Sequence, residues 1–321
     1  MGSRYPPEGE GAMADDGRIV VSNLTKFFGK VRAVDDLSFE VEPGTVTGFL
    51  GPNGAGKTTT LRCLLALVTP TRGTATVGGR RYADLPDPLG TVGAALEASS
   101  FHPGRTARNH LRVLCAAARL PDARADEVLE LTGIAEAANR RVRGFSMGMR
   151  QRLALAATLL GDPRVLILDE PANGLDPAGI NWLREFLRYL ATKQGKTVLV
   201  SSHILSEVEQ TVDSIVIIAQ GRLVREGTLK DLLGTASVAI RVRTPEADKL
   251  REVLERSGLR AEDGDGGALL VPGASAETVG HLAFVNEIEL HELASQSSDL
   301  EDVFLELTGT GRDGTPGEVA S

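Results

Sequence analysis

The sequence predicts an α/β fold built on a parallel sheet. Three features carry the prediction. Short apolar runs of strand length, "TVTGFLG" (45–51), "VLIL" (165–168) and "SIVIIA" (214–219), have the look of buried strands. Longer stretches with apolar residues at helical spacing lie between such runs. The two kinds alternate along much of the chain, the order that a parallel sheet with crossover helices requires.

"RIVVSNLTKFF" (18–28) reads as a strand leading into a turn at Gly29, and "DLSFEVEPG" (36–44) as a half-buried strand ending at Pro43-Gly44. After the buried strand at 45–51 comes "GPNGAGKTTTLRCLLALVTP" (51–70), a glycine-rich turn and an apolar helix stopped by Pro70. "GTATVGG" (73–79) is a strand between glycines. From 104 to 143 the character changes: "ARNHLRVLCAAARL" and "ADEVLELTGI" are amphipathic helices with no strand between them. "RVLILDEP" (164–171) is a buried strand, "INWLREFLRYLATKQG" a helix and "KTVLVSSH" (196–203) a strand. "ILSEVEQTV" reads as a helix, and "SIVIIAQGRLVREG" as strand, tight turn and strand.

A second unit is expected from 235 to 309. "SVAIRVR" alternates as a strand, "PEADKLREVLERSG" is helical, "GALLVPG" is a strand, "AETVGHLAFVN" a helix and "EIELHELA" a strand. "SDLEDVFLELTG" (298–309) closes the unit as a capped helix ending at Gly309. The result is a small α+β module, βαββ-like or βαβαβα. Residues 1–17 read as a flexible polar extension without an apolar signal core, and 310–321 as a disordered tail.

Composition excludes several classes. Thirty-five basic against 43 acidic residues leave a formal charge of −8, the wrong sign for a general nucleic-acid coat, and no nucleic-acid partner is expected. No apolar run approaches the ~20 residues that span a bilayer, so any work at a membrane needs another chain. Cys63 and Cys115 sit in apolar helical patterns without a CxxC or a Cys/His cluster, and read as inert buried thiols in a reducing compartment.

"GPNGAGKT" (51–58) fits G-x-x-x-x-G-K-[ST] between a buried strand and an apolar helix. Glycines at 51, 54 and 56 let the backbone turn its N–H groups inward on phosphate oxygens, and the helix that follows adds the positive end of its dipole. Lys57 reaches β- and γ-phosphates and the Thr58 hydroxyl suits Mg²⁺. Later, "VLILDEP" ends a buried strand in Asp169-Glu170. Asp169 is placed to hold Mg²⁺ and Glu170 to take a proton from, or orient, an attacking water.

With both elements located, the chain from 18 to about 233 resembles the ATP-binding cassette (ABC) ATPases of transporters. "FSMGM" (145–149) stands where that family carries its LSGGQ-like signature, after the amphipathic helices of 104–143, within a helical insert of about 98–160, and before the strand that ends in Asp169-Glu170. The resemblance implies a P-loop NTPase cassette: a RecA-like α/β core, an antiparallel β subdomain and a helical subdomain, here followed by a small α+β C-terminal domain. It implies ATP held by Gly51, Pro52, Asn53, Gly54, Ala55, Gly56, Lys57, Thr58 and Thr59, with Phe28 stacked on adenine. It implies Mg²⁺ at Thr58 and Asp169, Glu170 as general base and His203 as the switch histidine. Ser146, Met147, Gly148 and Met149 form the signature, which closes over the γ-phosphate held by a second copy in a head-to-tail homodimer. "GLD" (174–176) matches the D-loop, with Asp176 contacting the partner copy.

Two departures stand out. Met147 replaces a family glycine and Met149 a common glutamine, so one reading gives them the dimer seam and the other makes them core filler. Glu97, in "VGAALEASSFHPG", stands where the family has a glutamine that touches Mg²⁺ and water. A carboxylate also ligates Mg²⁺ but adds negative charge near the triphosphate. The same Glu-containing pattern and the terminal "SSDLEDVFLELTG" resemble the bacitracin and daunorubicin resistance-type exporters. The implied function is a cytosolic ATPase subunit, peripheral on the inner face of the membrane, that powers a separate export permease of drugs or lipid-like substrates. The alternative is a non-transport ABC ATPase acting on ribosomes or DNA.

Overall fold

The computed structural model describes residues 17–96, 101–204, 209–229 and 239–296. Residues 1–16 of the N-terminal extension, Glu97, residues 205–208 of "ILSEVEQTV", the 298–309 helix and the tail all lie outside the described residues. The chain divides into two compact units, Met1–Gly227 and Thr228–Ser321.

In the first unit β1 (Ile19–Phe28), β2 (Val31–Val41) and β4 (Arg72–Val77) form an antiparallel sheet in the order β2-β1-β4. β2 begins five residues before the alternating stretch at 36–44, because pairing with β1 continues to Phe28↔Val31 and Gly29, at φ 58°, turns the hairpin. The second sheet has the order β5-β6-β7-β3-β8-β9, built from β3 (Val46–Leu50), β5 (Val92–Ala95), β6 (Val165–Leu168), β7 (Thr197–Ser202), β8 (Ser214–Ala219) and β9 (Arg222–Thr228). β5, β6, β7, β3 and β8 run parallel. Every residue of β3, β6 and β7 is buried, as apolar strands without alternation require. Phe39 of β2 stacks on Phe49 of β3 at 5.2 Å between ring centroids, fastening the two sheets through one core.

Helix α1 (Lys57–Leu64) leaves β3 and stops well before Pro70. A Schellman motif ends it: Ala66 is left-handed at φ 56°, its N–H bonds Cys63 O, and Leu67 N–H bonds Arg62 O. The local backbone closure, not the proline, sets the boundary. After the short α2 (Pro88–Thr91), the insert folds as expected into α3 (Ala107–Ala118) and α4 (Ala123–Leu131), followed by α5 (Met147–Thr158). Thr106 caps α3, its hydroxyl accepting from Asn109 N–H. α6 (Pro177–Gln194) packs beside β7 and β3. Cys63 and Cys115 are buried free thiols, and burial raises the pKa of both, so they stay protonated and inert.

The second unit contains β10 (Ala239–Arg243), α7 (Ala247–Arg256), β11 (Glu262–Asp263), β12 (Leu269–Pro272), α8 (Ala276–Val285) and β13 (Glu292–Gln296). Its sheet order β11-β12-β10-β13 with two helices is the ferredoxin-like βαββαβ arrangement. β13 starts later than the apolar pattern of 287–294 suggests. Ile288 N–H instead bonds Ala283 O to close α8, and His291 N–H bonds Arg243 O at the entry to the strand.

Candidate active site

β6, β7 and β3 are neighbours and parallel, so their C-terminal ends open on one edge of the sheet, where α/β folds place their ligands. The turn after β3 is "GPNGAGKT". Gly51 donates to Ser202 O at 3.3 Å and Ala55 to Pro52 O at 3.1 Å, fixing the loop. A Cβ on Gly51 would stand 2.4 Å from Ile218 O, and Gly56, at φ 104°, caps α1 with its Cβ position 2.5 Å from Ala33 O. Only glycine fits either place.

Lys57 is buried and its ammonium curls back over the loop, donating to Gly51 O at 2.5 Å and lying 3.2 Å from Glu170 Oε1. The Thr58 hydroxyl donates to Asp169 Oδ2 at 2.7 Å. The other Asp169 oxygen accepts from the Ser201 hydroxyl at 2.5 Å, and Ser201 Oγ in turn accepts from Glu170 N–H at 2.9 Å. Glu170 is left-handed at φ 48°, an uncommon conformation for a non-glycine residue. That turn aims its carboxylate between Lys57 and His203, whose Nδ1 lies 2.8 Å from Glu170 Oε2. An ammonium, a hydroxyl, two carboxylates and an imidazole thus converge from three strand ends. Thr58 and Asp169 offer the hard oxygen donors that suit Mg²⁺.

Ser146 caps α5, its hydroxyl accepting from Met149 N–H at 3.3 Å. Met147 is 52% exposed and lies against Gly174, with its Cγ 3.4 Å from where a Gly174 Cβ would be. Gly148 faces Leu175. Asp176 caps α6 by accepting from Gly179 N–H at 2.8 Å. Met149 is half-buried against a groove lined by Gly133, Arg140 and Arg152. Phe28 is half exposed near the β1–β2 turn, with Lys26 Nζ 5.0 Å over its ring. The residue that sequence reading missed is Ser201. Its signal was a pair of serines ending an otherwise apolar buried strand, "VLVSS".

A family model described as ABC transporter matches residues 34–173. A second, described as Domain of unknown function (DUF8746), matches 238–301. The chain is 33% identical over 295 residues to an uncharacterized ABC transporter ATP-binding protein, YcbN, of Bacillus subtilis, covering 90% of this chain and 96% of that one. The chain belongs to the ATP-binding proteins of ABC transporters.

It is also 43% identical over 210 residues to the bacitracin transport ATP-binding protein BcrA of Bacillus licheniformis, across 65% of this chain and 69% of BcrA. Among solved structures, a dimeric ATP-binding cassette in a post-hydrolysis state bound to ADP and Pi superposes with a TM-score of 0.59 at 25% identity, covering 66% of this chain and 98% of the other. As an ABC ATP-binding protein, the chain has the P-loop NTPase fold, binds ATP and hydrolyses it. No helix among the described residues is long and apolar enough to cross a membrane.

Proposed function

We propose that two copies of this chain bind two Mg·ATP at a shared head-to-tail interface and drive a separate membrane permease that exports its substrate. The arrangement of Lys57, Glu170 and His203 supports this most directly, since one carboxylate is held between an ammonium and an imidazole. On binding, Lys57 exchanges its contacts for β- and γ-phosphate oxygens, and the loop amides accept the rest of the triphosphate charge. Mg²⁺ held at Thr58 and Asp169 supplies further charge neutralisation. Glu170 then accepts the proton of the water that attacks the γ-phosphorus, and His203 orients that carboxylate and senses the γ-phosphate.

Ser146 and the N-terminus of α5 form an anion site suited to the γ-phosphate of a second copy, with Asp176 beside it. ATP then bridges the two copies, and its cleavage removes the bridge. We assign 18–233 to this nucleotide-binding domain and 235–309 to an accessory domain. The likeness to BcrA favours an antibiotic or lipid-like cargo and a position on the inner face of the membrane, held there by the permease.

The test is sizing in solution of wild type and Glu170→Gln, with and without Mg·ATP, alongside phosphate release. The expected result is a dimer that accumulates with ATP in Glu170→Gln and turns over in wild type. A Glu170→Gln chain that hydrolyses ATP at the wild-type rate removes Glu170 as base.

A further inference from the structure

The chain has a single tryptophan, Trp182, on α6. The guanidinium of Arg152, on α5, lies over its ring with Cζ 3.8 Å from the centroid. Arg152 Nη1 also donates to the carbonyl of Thr132, just beyond α4, at 3.2 Å. Gly133 leaves room for that bond, because a Cβ there would stand 2.9 Å from Nη1. Behind the stack, Trp182 lies nearly flat on buried Phe186, with centroids 5.1 Å apart and 13° between planes.

One side chain therefore ties α4, α5 and α6 together. Ser146 caps α5 and Asp176 caps α6, and in the proposed dimer both face the second copy. The turn just before α6 also approaches the start of α5: Met147 Cγ stands 3.4 Å from where a Gly174 Cβ would be, and Leu175 Cδ2 3.9 Å from where a Gly148 Cβ would be. This second approach, away from the Arg152–Trp182 stack, limits the angle between the two helices more than the stack does by itself. Burial lowers the Arg152 pKa, although the group stays charged, and the same desolvation strengthens its attraction to the ring face.

We propose that Arg152 and Trp182 are positioning residues that lock the signature helix and the D-loop helix of one copy into a single rigid element, so that Ser146 and Asp176 meet the partner copy in register. The inference deepens the proposed function and rests on it. The joint stands on α5 and α6, apart from the P-loop turn that holds nucleotide, so it acts on dimer closure and not on ATP binding by one copy.

The test uses the full chain carrying Glu170→Gln and reads the Mg·ATP concentration at which half the protein is dimeric. Monomer affinity for a fluorescent ATP analogue and thermal stability are read in parallel, with Trp182 emission where the tryptophan is kept. Arg152→Ala and Trp182→Ala are each expected to raise the half-dimer concentration about tenfold, and the double variant no further than either single, as partners in one contact behave. Trp182→Phe keeps a ring and stays within about twofold, with monomer affinity unchanged in all. Should an alanine variant fail to fold, Trp182→Leu, apolar but without a π face, takes its place. Unchanged dimerisation in the ring-less variant, or additive losses in the double, overturns the proposal. Ser146→Arg is the control: if it leaves dimerisation intact, the signature reading fails and the joint falls with it. If Ser146→Arg abolishes dimerisation while the Trp182 variants do not, the joint alone is wrong.

Discussion

His203 Nδ1 lies 2.8 Å from Glu170 Oε2, while the other oxygen of the same carboxylate lies 3.2 Å from the ammonium of Lys57. The three groups come from the ends of β7 and β6 and from the turn after β3, three strands that are neighbours in one sheet. A carboxylate gripped from both sides has one orientation, which is what proton abstraction from a positioned water needs.

Removing either His203 or Glu170 should therefore slow hydrolysis without loosening nucleotide. His203→Ala is expected to lower turnover by about 100-fold, within the range of a lost acid–base component. Because the two residues act as a unit, adding Glu170→Gln should take turnover no lower than Glu170→Gln alone. Phosphate release and a nucleotide-binding titration of the three variants check both statements. Multiplicative losses in the double variant would show that His203 works independently of Glu170.

Ser201 is the buried clamp behind the carboxylates. Its hydroxyl donates to Asp169 and accepts from the backbone of Glu170, so Ser201→Ala leaves one acceptor and one donor without a partner. A loss of about 1–3 kcal/mol is expected. Half-maximal turnover should also need more Mg²⁺, because Asp169 is no longer held toward Thr58. Thermal unfolding and a Mg²⁺ titration of phosphate release separate the two effects.

Gly51→Ala tests the shape of the phosphate loop. The added methyl meets a backbone carbonyl, Ile218 O at 2.4 Å, and a carbonyl in a buried strand has nowhere to retreat. Overpacking of this kind costs about 1–3 kcal/mol, and the loop displaced to relieve it should lose ATP binding outright. Calorimetric titration with ATP and a melting curve are the measurements; near-normal affinity would show that the loop tolerates the shift.

Asp162 and Lys196 predict a pH signature. Lys196 is buried and donates to Asp162 Oδ1 and to Pro163 O, each at 2.7 Å. The hydrogen bond from Lys196 holds the Asp162 carboxyl below its ordinary 3.8. A depressed folded pKa stabilises the fold above the unfolded value and loses that contribution as pH falls through the folded one. Asp162→Asn keeps the shape and accepts the left-handed φ of 51° at this position. It should lower stability by about 1 kcal/mol at neutral pH, with allowance for an exposed carboxylate. The gap to wild type should be constant from neutral pH down toward 4 and close below 3.8. Urea unfolding at several pH values follows it.

The alternation of strands and helices, the phosphate-loop turn, the two carboxylates after β6 and the family are legible in the amino-acid order. Each rests on residues close together along the chain: glycines where the backbone must turn, apolar runs where strands are buried, motifs that stand in a fixed order. Tertiary structure decided the rest. Ser201 stands beside Asp169 because the register pairs Leu168 with Val200, and no local pattern encodes register between strands so far apart. Met147 lies against Gly174 of its own chain, in the turn before α6, a proximity between distant segments that periodicity cannot report. The end of α1 followed the left-handed turn at Ala66 and not Pro70, since an alanine gives no sequence signal for that conformation. Arg152 and Trp182, unremarkable on their own helices, meet only because α5 and α6 pack side by side, and packing depends on the whole fold.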